Sequence, residues 1–141
     1  MFTIDASVHL NALNPKEAGS LESQALLERI HQNMMLIYSP TLLLVELAAG
    51  IARVFNDASQ GVAMAQAVRW LPGYVWVPLD DALAEEAVQL GAKLRLRGAD
   101  AVYAAVAHHY QATLITLDQQ QLGRLSSDVK VQKPGEILAG L

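Results

Sequence analysis

The chain has no cysteine among its 141 residues. Disulfides and thiolate metal sites are therefore excluded, and nothing points to an oxidising compartment, so the expected location is cytoplasmic. Charge is sparse, at 17% of residues against 52% hydrophobic, which is far from the profile of a disordered chain. Long apolar runs are missing too. The greasiest segment, residues 41–55, carries Glu46 and Arg53 and is too short and too charged to span a bilayer, so no membrane partner is expected. The opening Met1-Phe2-Thr3-Ile4-Asp5 has neither the basic region nor the apolar stretch of a signal peptide. An excess of positive charge is also absent: ten Lys and Arg face fourteen Asp and Glu, a net charge of −4. That balance argues on its face against a nucleic-acid partner. It changes if four acids serve one site, because 14 − 4 leaves ten acids against ten bases, and attraction of a polyanion would then rest on local basic patches.

What is present fits one domain over residues 1–141 with one core, burying about two-thirds of the unfolded surface. Short apolar segments alternate with helical patterns. Expected strands are Phe2–Ile4, Leu36–Tyr38, Tyr74–Val77, Leu114–Leu117 and Val129–Val131, each bounded by polar, Gly or Pro residues. Expected helices are Ser20–His31; one opened by a Ser39-Pro40 cap and reaching Phe55; Gln60–Leu71; one capped by Asp80 or Asp81 and reaching Leu94; and Gly98–Tyr110. The alternation implies an α/β fold: a three-layer α/β/α sandwich around a mostly parallel, about five-stranded sheet, with ligands at the carboxyl ends of the strands. Trp70, Tyr74 and Trp76 are read as core, the alternative for some of them being a dimer or partner-binding face. His108 and His109 are read as helix C-terminal residues favoured by the dipole.

Four acids stand out. Asp5 and Asp118 directly follow expected strands. Glu46, in Leu42-Leu43-Leu44-Val45-Glu46-Leu47, and Asp100, in Ala99-Asp100-Ala101-Val102, are lone acids in apolar helices. Burying an ionised carboxylate without a partner costs several kcal/mol. Three have an ordinary explanation, Asp5 and Asp118 as N-caps and Asp100 as a first-turn acid, whereas Glu46 is harder to explain structurally. Their joint placement favours one site. The segments Ile4-Asp5-Ala6-Ser7, Val45-Glu46-Leu47, residues 99–107 and Leu114-Ile115-Thr116-Leu117-Asp118 resemble the successive acidic motifs of the PIN-domain family, and the resemblance runs almost the whole chain.

The resemblance implies a PIN-like fold, divalent-metal-dependent cleavage of single-stranded RNA, and frequent homodimerisation; many single-domain members are toxins of VapBC-type toxin–antitoxin pairs, so an antitoxin is an implied partner. It places Asp5, Glu46, Asp100 and Asp118 as catalytic metal ligands, with Ser7 and Thr116 as hydroxyls holding the carboxylates or a metal-bound water. Where many members carry a further acid, this chain has Gln119, Gln120 and Gln121. Oxygen-only ligands select Mg²⁺ or Mn²⁺. Two like charges about 4 Å apart repel by roughly 4 kcal/mol at an effective dielectric near 20, so clustered acids need a cation or protons. Arg53, two turns after Glu46, and the cluster Lys93, Arg95 and Arg97 are candidate RNA-phosphate contacts. The competing expectations are a PIN fold that binds RNA or protein with little cleavage, and a housekeeping RNA-processing nuclease. A phospho-acceptor receiver lacks its acid pair after Tyr38, and a haloacid-dehalogenase-like phosphatase lacks Asp-x-Asp at Asp5-Ala6-Ser7.

Overall fold

A computed structural model describes residues 1–125 and 127–141. Strand β1 (Phe2–Ile4) leads through α1 (Ala6–Leu13) and α2 (Ser20–Gln32) to β2 (Ile37–Pro40). Helices α3 (Leu42–Phe55) and α4 (Ala58–Arg69) precede β3 (Tyr74–Val77), and α5 (Asp81–Leu94) and α6 (Gly98–His109) precede β4 (Thr113–Ile115). Helix α7 (Gln119–Arg124), β5 (Val131–Gln132) and α8 (Pro134–Gly140) complete the chain. The sheet has the order β3-β2-β1-β4-β5 with every pairing parallel. The α/β/α fold expected from the alternation is the one observed.

Alternation of side chains puts Phe2, Ile4 and Ile115 in one buried cluster with Leu26 and Ile30 of α2, Ile37 and Ile137. Leu114 joins the opposite cluster with Leu43, Leu47 and the wholly apolar stretch Ala101–Ala107 of α6. That stretch is buried all round because α6 crosses β1, β2 and β4.

The chain winds outward from β1 through β2 to β3, then returns to place β4 on the other flank of β1. In open parallel sheets, the crevice outside the carboxyl ends at such a reversal receives the ligand. Here it lies between the ends of β1 and β4, which Asp5 and Asp118 follow.

Three readings are corrected. Ser39-Pro40 does not cap α3; both residues belong to β2, opposite Trp76 and Val77, and Thr41 is the N-cap position. The amides of Ile37 and Thr41 donate to the β3 side, so the nitrogen of Pro40 faces the β1 side, where the only registered pair is Phe2 with Ile37 and no donor is required. Trp70 is no core residue, being 82% exposed at the end of α4, whereas Tyr74 and Trp76 are half-buried and stack at 5.2 Å. Val129 precedes the last strand, and Thr116 and Leu117 follow β4.

Candidate active site

Asp5 is the N-cap of α1 and Asp118 the N-cap of α7. The capping explanation and the shared site are therefore not alternatives, because both helices begin at the same crevice. The Asp118 carboxylate accepts from the amides of Gln120 at 2.8 Å and Gln121 at 3.1 Å. Asp5 uses Oδ1 for the Ser7 amide at 3.0 Å, and its own N–H donates to the Ile115 carbonyl at 3.2 Å, tying β1 to β4.

Only 4% of Asp5 is exposed, so a low-dielectric setting must be offset by donors. Four are present: the Ser7 amide, the Ser7 and Thr116 hydroxyls, and Gln121 Nε2 at 2.8 Å. The two hydroxyls also act as relays. Ser7 Oγ accepts from the Leu117 amide at 3.1 Å, and Thr116 Oγ1 from the Asp118 amide at 3.0 Å. The backbone after β4 is thus bound through both hydroxyls to one carboxylate. Burial raises the Asp5 carboxyl above its ordinary pKa, and the bonds from Ser7 and Thr116 work against that rise.

Asp100, in the first turn of α6, is half-buried and accepts from Gln121 Nε2 at 3.1 Å. Its carboxyl is also raised, first by burial and then by the charges of Asp118 and Asp5; Arg97 opposes them. Asp100 is therefore within electrostatic reach of both Asp118 and Asp5. Glu46 reaches the region from α3, where the Tyr103 hydroxyl donates to its Oε1 at 2.7 Å. Burial, with the Glu46 charge beside it, pushes the Tyr103 phenol well above its ordinary value, so it stays a donor.

Two participants have no site role in the sequence pattern, where Gln121 counts only as a missing acid. Tyr103 stands three residues after Asp100, on the same helical face, and a buried tyrosine hydroxyl calls for a polar partner. Gln121 stands at capping-box spacing from Asp118, yet its side chain reaches Asp5 and Asp100 rather than the cap backbone.

The basic candidates are more dispersed. Arg53 is exposed on α3, and Arg97 is close enough to influence Asp100. Lys93 pairs with Asp128 at 2.6 Å, and Arg95 caps α5 in the left-handed region with its carbonyl bonded to Arg124.

A hard divalent cation fits this set in kind and in sign: the donors are carboxylate oxygens, and Asp100 is repelled by both Asp118 and Asp5. Among the described residues, no three His, Cys, Asp or Glu side chains are already grouped as a metal cage. Gln121 occupies the space between Asp5 and Asp100, and Glu46 is held by Tyr103.

The family model of the PIN domain matches residues 2–126. The chain belongs to the PIN-domain family. No curated protein sequence matches it. Its fold is similar to that of solved VapC and VapBC proteins. VapC20 of Mycobacterium tuberculosis, described as a sarcin-ricin loop cleaving toxin, superposes with a TM-score of 0.72 at 15% identity over 94% of this chain and 99% of that one. DNA-bound VapBC from Salmonella typhimurium gives 0.71 at 15% identity, over 94% and 97%. FitAcB of Neisseria gonorrhoeae gives 0.66 at 22% identity, over 95% and 98%.

Proposed function

We propose that this PIN-domain protein is a divalent-metal-dependent ribonuclease that cleaves single-stranded RNA, and that it acts as the toxin of a VapBC-type pair held in check by an antitoxin. The observation that carries the reading is the placement of Asp5 and Asp118 at the carboxyl ends of β1 and β4, on either side of the point where the strand order reverses, with Asp100 brought beside them by α6. Family membership and likeness to VapC folds support the toxin assignment.

Asp5, Glu46, Asp100 and Asp118 are the residues that would hold Mg²⁺ or Mn²⁺. When bound, such a cation supplies an activated water for in-line attack on the phosphodiester and offsets charge on the leaving oxygen. The chain's own contribution is positional. Ser7 and Thr116 fix both oxygens of Asp5, the amides of α7 fix Asp118, and Tyr103 aims Glu46. Among the described residues Arg97 and Arg53 carry no ion pair and would meet phosphate oxygens, Arg97 beside the Asp100 it already influences, whereas Lys93 would first have to leave Asp128. Products would carry 5′-phosphate and 3′-hydroxyl ends.

Incubating the purified protein with single-stranded RNA in Mg²⁺ and in EDTA tests the reading. Cleavage in Mg²⁺, abolished by EDTA and by the co-expressed product of an adjacent small gene, is expected. RNA binding without cleavage in either Mg²⁺ or Mn²⁺ would leave a binding module instead.

A further inference from the structure

Gln121 is fully buried in the first turn of α7, and its amide nitrogen stands 2.8 Å from Asp5 Oδ2, 3.1 Å from Asp100 Oδ1 and 3.4 Å from Thr116 Oγ1. The Thr116 hydroxyl donates to Asp5 and its oxygen accepts from the Asp118 amide. The two amide protons of Gln121 are therefore used by the two carboxylates. At the other end of the same amide, Oε1 is buried and has no hydrogen-bond partner among the described residues. An orphaned buried acceptor is costly, so the side chain is held in this orientation from the carboxylate side alone.

The place it occupies, between Asp5 and Asp100, is the one a neutralising cation would take. We propose that Gln121 is an internal, displaceable stand-in for the metal ion: its Nε2 bridges Asp5 and Asp100, competes with a divalent cation for both carboxylates, and thereby sets the cation affinity of the site. This rests on the reading that these carboxylates bind a cation. A carboxylate lone pair directed at an N–H is not available to a metal, and the positive end of the amide dipole beside a cation is repelled. The backbone of Gln121 is fixed by its bond to Asp118 Oδ1, so release would move this buried side chain and the groups packed on it rather than the helix. Among the described residues no donor meets Oε1, so none holds the far end of the side chain. The polar Gln121 thus keeps two acids bridged without metal, at the expense of metal affinity.

Two measurements on the full chain test this. Calorimetric titration with MgCl₂ alone compares wild type with Gln121→Met, which keeps the length of the side chain and removes both donors. The variant should bind Mg²⁺ at least about fivefold more tightly, which is ~1 kcal/mol. In ¹⁵N spectra of the wild type, the Gln121 side-chain amide should exchange slowly with solvent in EDTA and lose that protection on addition of Mg²⁺. Equal or weaker binding by Gln121→Met, or protection retained at saturating Mg²⁺, would overturn the inference while leaving the cation assignment standing. If neither protein binds Mg²⁺, the cation assignment itself is overturned, and this inference with it. The spectra decide the matter even if the variant does not fold.

Discussion

The crevice between β1 and β4 and the α3–α4 hairpin are held together by different means. At the crevice a single buried carboxylate collects four donors, and two hydroxyls pass its influence to the backbone after β4. In the hairpin, contact is backbone against backbone: a Cβ on Gly61 would lie 2.3 Å from the Ala48 carbonyl oxygen. The hairpin also leaves apolar residues outside, with Val45 64% and Val62 53% exposed. Directional bonds make the crevice sensitive to a change of one atom at constant shape. Shape makes the hairpin sensitive to an added methyl at constant polarity.

Changes that separate these two sensitivities should be informative, and the largest effect is expected from a shape-preserving change at the crevice. Asp5→Asn should lower Mg²⁺-dependent RNA cleavage by about a hundredfold or more, ~3 kcal/mol of lost charge stabilisation, and a single-turnover cleavage assay reads it directly. Near-full activity would remove Asp5 from the site. Gly61→Ala should do the reverse. Overpacking costs about 1–3 kcal/mol, more than the roughly 1 kcal/mol of helix propensity regained, so urea unfolding should show a lower midpoint while cleavage per folded molecule is unchanged. A smaller effect is expected from Tyr103→Phe, which leaves Glu46 without its donor: about tenfold in activity or metal affinity, with little change in the urea midpoint. If the midpoint falls and activity holds, Tyr103 belongs to the core alone.

Much of this was legible in the sequence because fold and site share signals. The strands β1 and β3 have the bounds that apolar runs between polar and Gly or Pro residues indicate, and Asp80 caps α5 as its position suggests. Asp5 and Asp118 were visible because a strand end followed by an acid marks both a cap and a crevice. Pro40 was misread because a proline before an apolar run is equally good at a strand end and at a helix start; the choice depends on the neighbouring strand, which is remote in sequence. Trp70 was misread because ring size suggests burial, whereas exposure depends on where α4 stops. Gln121 was read as a missing acid. Its bonds to Asp5 and Asp100 join residues 116 and 21 positions apart, and no local pattern carries such a contact.

On the proposed function, Asp118 and Asp5 repel Asp100 until a cation joins them, whereas Asp5 itself is raised by burial. The Asp5 and Asp100 carboxyls are both raised above the ordinary 3.8. The folded protein therefore binds their protons more tightly than the unfolded chain does. The stability this contributes is fully present below the unfolded value and is lost as pH rises through the raised one. In EDTA these two carboxyls therefore withdraw stability as pH rises through their raised values, while buried His9, lowered to about 4, adds stability up to its ordinary 6.5, so the repulsion is read as a difference between two proteins at one pH. Asp118→Asn removes one of the charges acting on Asp100 while keeping the cap, since Asn caps about as well as Asp. Thermal melts of wild type and Asp118→Asn near neutral pH, in EDTA and in excess Mg²⁺, test the claim most directly. The variant should melt higher in EDTA by a few degrees, and Mg²⁺ should narrow or reverse the gap by binding the wild type better. The same difference between the two proteins in both conditions would contradict it.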